Sequence, residues 1–151
     1  MVGYYPAGER LDETASYRPS SMYGVTKCFA EATGRLYADK AGLQVICLRI
    51  GFFQDRPLEE RHLAVWISPG DMARLVRCAV EAPAIHFEIV YGISNNTRRW
   101  GDLSRARKVL GYEPQDDAEA YATELLRGPS EAWSERVRRI GGSKCDLQFM
   151  P

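Results

Sequence analysis

The chain has 151 residues, enough for one domain of ordinary size, and an apolar fraction of 45% with 26% charged residues, as soluble globular proteins have. Twenty basic and twenty acidic residues cancel, which argues against a nucleic-acid footprint or an electrostatic membrane anchor, since both need a basic excess. No run of about 18 apolar residues is available to cross a membrane, no signal peptide opens the chain, and four cysteines without a C-x-x-C pair, beside two histidines, argue against a zinc site.

In chain order, Val2-Gly3-Tyr4-Tyr5-Pro6 reads as the end of a strand running into a polar, turn-rich stretch from Ala7 to Pro19. Ser20 or Ser21 then caps a long helix that runs without proline to Lys40, with Val25, Cys28, Phe29, Ala32 and Leu36 as an apolar stripe and Gly42 just past its end. Gln44 to Ile50, apolar except for Arg49, reads as a buried strand. After a loop from Phe52 to Glu60, Ser68-Pro69-Gly70 opens a second helix from Asp71 to Glu81, whose apolar face is Met72, Leu75, Val76, Ala79 and Val80. His86 to Tyr91 is the next strand, Gly92 to Thr97 a turn-forming loop with Asn95 and Asn96 as turn residues, and Leu103 to Leu110 and Ala118 to Arg127 two further helices. Cys28, Cys47 and Cys78 lie in apolar runs and read as buried thiols of a reducing compartment, with the cytoplasm as the expected location. Arg98, Arg99, Arg105, Arg107 and Lys108 read as a solvated face.

Helix and strand alternate, which implies an α/β fold with a parallel sheet. Two clear strands are too few for such a sheet, so the chain reads as part of a larger one.

Chemistry concentrates in Tyr23-Gly24-Val25-Thr26-Lys27. Tyr23 and Lys27 are four apart on one helix and share a face. A free tyrosine titrates near 10, and a neighbouring ammonium favours its phenolate. It can then exchange a proton with a substrate hydroxyl or carbonyl as hydride moves. An exposed helix pair is the alternative reading.

The segment from Pro19 to Lys27 resembles the active-site helix of the extended short-chain dehydrogenases/reductases, the NAD-dependent epimerase/dehydratase family. Leu48-Arg49-Ile50-Gly51, Arg61 leading into Val65-Trp66-Ile67-Ser68, Ile89 to Asn96, and Ala106 to Pro114 resemble the uronate dehydrogenase branch. The resemblance implies the C-terminal part of a Rossmann-type doubly wound parallel sheet, with residues 1–92 as the second part of that domain and 93–151 as a helical segment on the substrate side. It implies NAD as cofactor, Tyr23 as acid/base and Lys27 as its partner on the nicotinamide ribose. Ile50 would face the nicotinamide through its backbone, and Arg61 would hold a substrate carboxylate. A guanidinium suits that role because it can donate two parallel hydrogen bonds, although a surface arginine beside Glu59 and Glu60 is the alternative. At Phe52 the uronate dehydrogenases usually carry a serine that touches the substrate, and phenylalanine cannot donate that bond.

The glycine-rich turn that binds the pyrophosphate has no counterpart in these residues. The family's catalytic serine would fall just before Met1. The expectation is therefore the C-terminal portion of an NAD-dependent oxidoreductase acting on a sugar or sugar acid, truncated and inactive alone. A sugar-nucleotide epimerase or dehydratase, and a non-catalytic interaction module, are the alternatives. The small-molecule partner would be a sugar acid, and homo-oligomers, common in this family through the helix that bears Tyr23, stay open.

Overall fold

A computed structural model describes residues 1–126 and 139–145. Its longest element is helix α1, Met22–Ala41. The Ser21 hydroxyl caps it by accepting from the Gly24 amide at 3.2 Å. At its other end Gly42 takes a left-handed conformation (φ 67°) and donates back to the Ala38 carbonyl, a geometry that costs glycine little. Strand β1, Val45–Ile50, follows directly. Short strands β2, Phe52–Phe53, and β3, Trp66–Ile67, flank a one-turn helix α2, His62–Val65. Helix α3, Pro69–Glu81, leads into strand β4, Phe87–Gly92, and then helix α4, Ser104–Leu110, which ends on the left-handed Gly111. A 3-10 turn over Ala118–Tyr121 continues into helix α5, Ala122–Leu125.

β1 and β4 pair in parallel, from Val45 opposite Phe87 to Ile50 opposite Gly92, and β2 and β3 form a second, short parallel pair. The fold is thus α/β with parallel strands. Gly51 lies between β1 and β2, where an added Cβ would sit 2.0 Å from the Val65 carbonyl oxygen, so no larger residue fits without moving the backbone. The main core joins Leu75 of α3 and Val90 and Tyr91 of β4 to Ile67, Ile93, Leu103, Ala106, Leu110 and Tyr112. Burial, and then the charge of Asp71, raise the Tyr112 hydroxyl above its ordinary range.

Two buried polar side chains tie the segment after β4 to the rest. Asp71, in the first turn of α3, accepts from Arg74 Nη1, Ser94 Oγ and the amides of Gln115 and Asp116 at 2.6–3.0 Å. Asn96 donates to the Trp66 carbonyl and accepts from the Ala118 amide. A buried polar group is tolerable only when satisfied in this way.

Several expectations need correction. Val2 to Pro6 is not a strand end: Tyr5 N closes a turn onto the Val2 carbonyl, Tyr4 N reaches Arg18, and only Pro6 makes an isolated antiparallel bridge, to Arg139. The loop after β1 contains β2, and α2 and β3 follow it, all too short for a hydrophobic period to reveal. α3 starts at Pro69 rather than Asp71 because Ser68 is the cap and proline suits the first turn. One expectation holds, that part of a larger sheet leaves apolar helix surface uncovered: on the α1 stripe Phe29 is 72% exposed and Val25, Ala32 and Leu36 are exposed, while of α1 only Gly24, Glu31 and Ala38 are buried. Likewise the apolar residues of β1 are half-buried or exposed, and its one buried residue is Arg49. Cys28, Cys47 and Cys78 are half-buried free thiols. The last helix is split between the 3-10 turn and α5, and Arg127 lies outside the described residues.

Candidate active site

Ser21 starts α1 beside the carboxyl end of β1, the side of a parallel sheet where ligands bind in open α/β folds. A cavity of about 510 Å³ opens there, within the range of small-ligand sites. Tyr23, Lys27, Ile50 and Arg61 all line it, although they come from three separate segments of the chain. The Lys27 ammonium stands 4.9 Å from the centre of the Tyr23 ring. Tyr23 is 64% exposed and lines the cavity.

Beneath this pair, Arg49 and Glu31 lock α1 to β1. Arg49 Nε and Nη2 donate to the two oxygens of Glu31 at 2.9 and 3.0 Å, with both side chains almost fully buried (4% and 6% exposed). Tyr17 donates to the same carboxylate at 2.8 Å, and Arg49 Nη1 approaches the Tyr91 hydroxyl at 3.5 Å. Burial alone would weaken protonation of Arg49, but the hydrogen bonds and charge of Glu31 more than offset it and hold the guanidinium charged. Burial, the hydrogen bond to Glu31 and that carboxylate's charge raise the Tyr17 hydroxyl.

Phe52 is not among the residues that line the cavity. Its ring stacks on His62 at 3.4 Å, with planes 7° apart, and packs against the cluster of Leu63, Trp66, Ala118 and Ala122. Arg61 donates its Nε to the Ile140 carbonyl at 3.2 Å, and among the described residues it pairs with Glu59 at 3.9 Å. Trp100, Ile140 and Gly141 also line the cavity and had no sequence signal as site residues. Trp100 packs edge-on against Tyr91, with centroids 5.3 Å apart. The arginine cluster is not one uniform solvated face. Arg98 pairs with Glu119 and Arg105 with Glu88, but Arg99 is half-buried at a second, smaller cavity.

A nicotinamide riboside end fits what is present: an exposed tyrosine and a lysine on one helix turn, opposite the backbone of Ile50 and a glycine without a side chain. Among the described residues, no group of three or more His, Cys, Asp or Glu side chains could hold a metal ion, and no helix is long and apolar enough to cross a membrane.

Parallel strands with flanking helices make this a Rossmann-type α/β chain, with Tyr23 and Lys27 at the carboxyl end of β1. No family model matches the chain. It is 36% identical over 147 residues to a uronate dehydrogenase of Agrobacterium fabrum, covering 96% of this chain and 55% of that protein. It is 44% identical over 125 residues to an NAD-dependent glucose-6-phosphate dehydrogenase of Haloferax volcanii, covering 80% of this chain and 47% of that one. The crystal structure of a uronate dehydrogenase from Agrobacterium tumefaciens superposes with a TM-score of 0.90 at 35% identity, over 99% of this chain and 56% of that one. A glucuronic acid dehydrogenase from Chromohalobacter salexigens matches equally well, with a TM-score of 0.90 at 34% identity over 97% of this chain and 56% of that one. The chain is a homologue of the uronate dehydrogenases and related NAD-dependent sugar dehydrogenases. It spans about half the length of the curated relatives it matches.

Proposed function

We propose that this chain supplies the acid/base and the substrate side of an NAD-dependent oxidoreductase that oxidises a sugar acid at its anomeric carbon to the lactone. The observation that supports this most is the convergence of Tyr23, Lys27, Ile50 and Arg61 on one cavity of about 510 Å³. Residues 1–92 would form the cofactor-facing part and 93–151 the substrate-side part, in a cytoplasmic protein.

In this reading Tyr23 is the base that accepts the proton of the anomeric hydroxyl as the C1–H bond breaks and the C1–O bond becomes a carbonyl. Lys27, whose ammonium stands 4.9 Å from the Tyr23 ring centre, would donate to the nicotinamide ribose. Bound NAD supplies the acceptor for the hydride. Arg61 grips the substrate carboxylate and so fixes which carbon faces Tyr23. Phe52, stacked on His62 and not among the residues lining this cavity, gives the substrate no hydrogen bond.

The test is NADH formation from a hexuronate and NAD, with the chain alone and with the chain co-expressed with the dinucleotide-binding half of the Agrobacterium relative. The chain alone is expected to be silent, because no glycine-rich phosphate turn is present. The combined preparation is expected to turn over, and Tyr23→Phe should lower its rate by about 10²–10⁴-fold, the usual weight of one acid/base group. Turnover unaffected by Tyr23→Phe would remove the reading.

A further inference from the structure

The cavity of about 510 Å³ that holds Tyr23 and Lys27 adjoins a smaller one of about 220 Å³, and Arg61, Trp100 and Ile140 line both. Arg61 therefore stands at their border. Its Nε is committed to the Ile140 carbonyl, and its two Nη atoms make no hydrogen bond among the described residues, Glu59 being 3.9 Å from Nη1.

The smaller cavity carries a charge of its own. Arg98, on its wall, is neutralised by two hydrogen bonds to Glu119, at 2.7 and 2.9 Å. Arg99, also on its wall, is half-buried, gives one side-chain bond to the Asn96 carbonyl at 3.0 Å, and forms no ion pair among the described residues. Burial first, and then the cations Arg10 and Arg107, hold its pKa below the ordinary guanidinium range, and Asp102 and Asp117 offset this only in part. Guanidinium does not escape burial by deprotonating, so a charged acceptor is what relieves it. Leu63 and Trp100 add apolar surface, and half-buried Glu60 supplies a carboxylate that can accept from hydroxyls. Apolar wall, hydroxyl acceptor and unpaired cation together suit a charged sugar ring better than a bare ion.

We infer that the smaller cavity is a second sugar subsite, and that the site takes a 1→4-linked diuronide whose reducing-end residue lies beside Tyr23 and whose second carboxylate is held by Arg99. This rests on the dehydrogenase reading above, which puts C1 at Tyr23 and the first carboxylate on Arg61. In a pyranose C4 lies across the ring from C1, and in a hexuronate its neighbour C5 bears the carboxylate. With C1 at Tyr23 and that carboxylate on Arg61, O4 lies away from Tyr23 and next to Arg61, at the border of the smaller cavity. A sugar linked through O4 enters there and brings its own carboxylate to Arg99. The smaller cavity has less than half the volume of the larger and suits one ring. The chemistry at C1 is that of the monomer: hydride passes from C1 to bound NAD, the hydroxyl proton passes to Tyr23, and the C1–O bond becomes the lactone carbonyl. The glycosidic bond at O4 stays intact.

Titration calorimetry on the chain tests this with galacturonate, its 1→4-linked dimer, and that dimer methyl-esterified at the non-reducing carboxylate. The dimer is expected to bind about 10–100-fold tighter than the monomer, the weight of hydrogen bonds to a charged group, and the ester to lose most of that gain. In Arg99→Ala the ratio of dimer to monomer affinity should fall to about 1, and Arg99→Lys should restore part of it. The ratio is taken within one protein, so a smaller folded fraction does not change it, and the ester needs no variant at all. Equal affinity for dimer and monomer overturns the inference. So does an ester that binds as tightly as the dimer, or a ratio that Arg99→Ala leaves unchanged. NADH formation by the preparation combined with the dinucleotide-binding half separates the two readings. Turnover of the monomer with no preference for the dimer removes the second subsite alone. A dimer preference that depends on Arg99, with no NADH formed, removes the dehydrogenase reading and leaves the diuronide site.

Discussion

Replacing Arg49 by methionine tests whether the bidentate pair with Glu31 is what holds α1 against β1. The two charges are almost fully buried and bonded at 2.9 and 3.0 Å, with Tyr17 adding a third bond to the same carboxylate. Removing one member leaves the other as an unpaired charge in a dry site, which costs about 3–5 kcal/mol. At a urea m-value of about 2 kcal/mol/M, the midpoint should fall by about 1.5–2.5 M. The paired change, Glu31→Leu with Arg49→Met, should recover most of that loss, because two apolar groups need no compensation, and the Tyr17 hydroxyl is left near enough to solvent to find water. Equilibrium urea unfolding of the wild type, both single variants and the double variant gives the coupling. A single-variant loss below about 1 kcal/mol, or a double variant whose loss equals the sum of the singles, would refute the claim that these charges depend on one another.

Four further outcomes are expected. Asp71→Ala removes the acceptor for four donors and should cost about 3 kcal/mol or more, with Asp71→Asn in between, measured by thermal melting; a neutral Asp71→Ala would mean the clamp is redundant. His62 accepts from the Leu58 amide at Nδ1 and approaches Glu59 through Nε2, so its neutral form is the one the fold binds. Burial depresses its pKa below the ordinary 6.5, Glu59 opposing this and Arg61 adding to it, and stability should therefore be intact above about pH 6.5 and decline as pH falls through the folded-state pKa; His62→Phe should flatten that slope, and an unchanged slope counts against the assignment. Gly51→Ala should yield poorly folded protein with a broadened melt, since its Cβ would collide with a backbone carbonyl. Ser21→Ala should cost about 1 kcal/mol, the usual value of a helix cap, and spectroscopic helix content near the start of α1 should report it.

The longest elements were legible in the sequence because each has a strong local cause. α1 has a serine cap, an uninterrupted run without proline and a glycine stop, and β1 has a short apolar run bounded by glycine. Tyr23 and Lys27 were legible for the same reason: a four-residue spacing on a helix is a local geometry that needs no tertiary knowledge. Beyond that the sequence did not say which side chains are buried. The apolar stripe of α1 was visible, yet most of it is exposed, while its polar neighbour Glu31 is buried, because burial depends on what packs against a face and not on the face itself. Arg49 looked like an interruption of an apolar strand and is its one buried residue, since only the folded chain brings a carboxylate to it.

The sequence by itself determined the alternation of helix and strand, the Tyr–Lys pair and the absence of a phosphate-binding turn, all properties of residues close together in the chain. The tertiary structure alone decided that Arg61, some 34 positions beyond Lys27, shares its cavity, that Phe52 does not, and that Glu31 and Arg49 are buried against one another. Convergence and compensation of charge are long-range relations. They arise when segments distant in sequence pack together, and no local spacing records them.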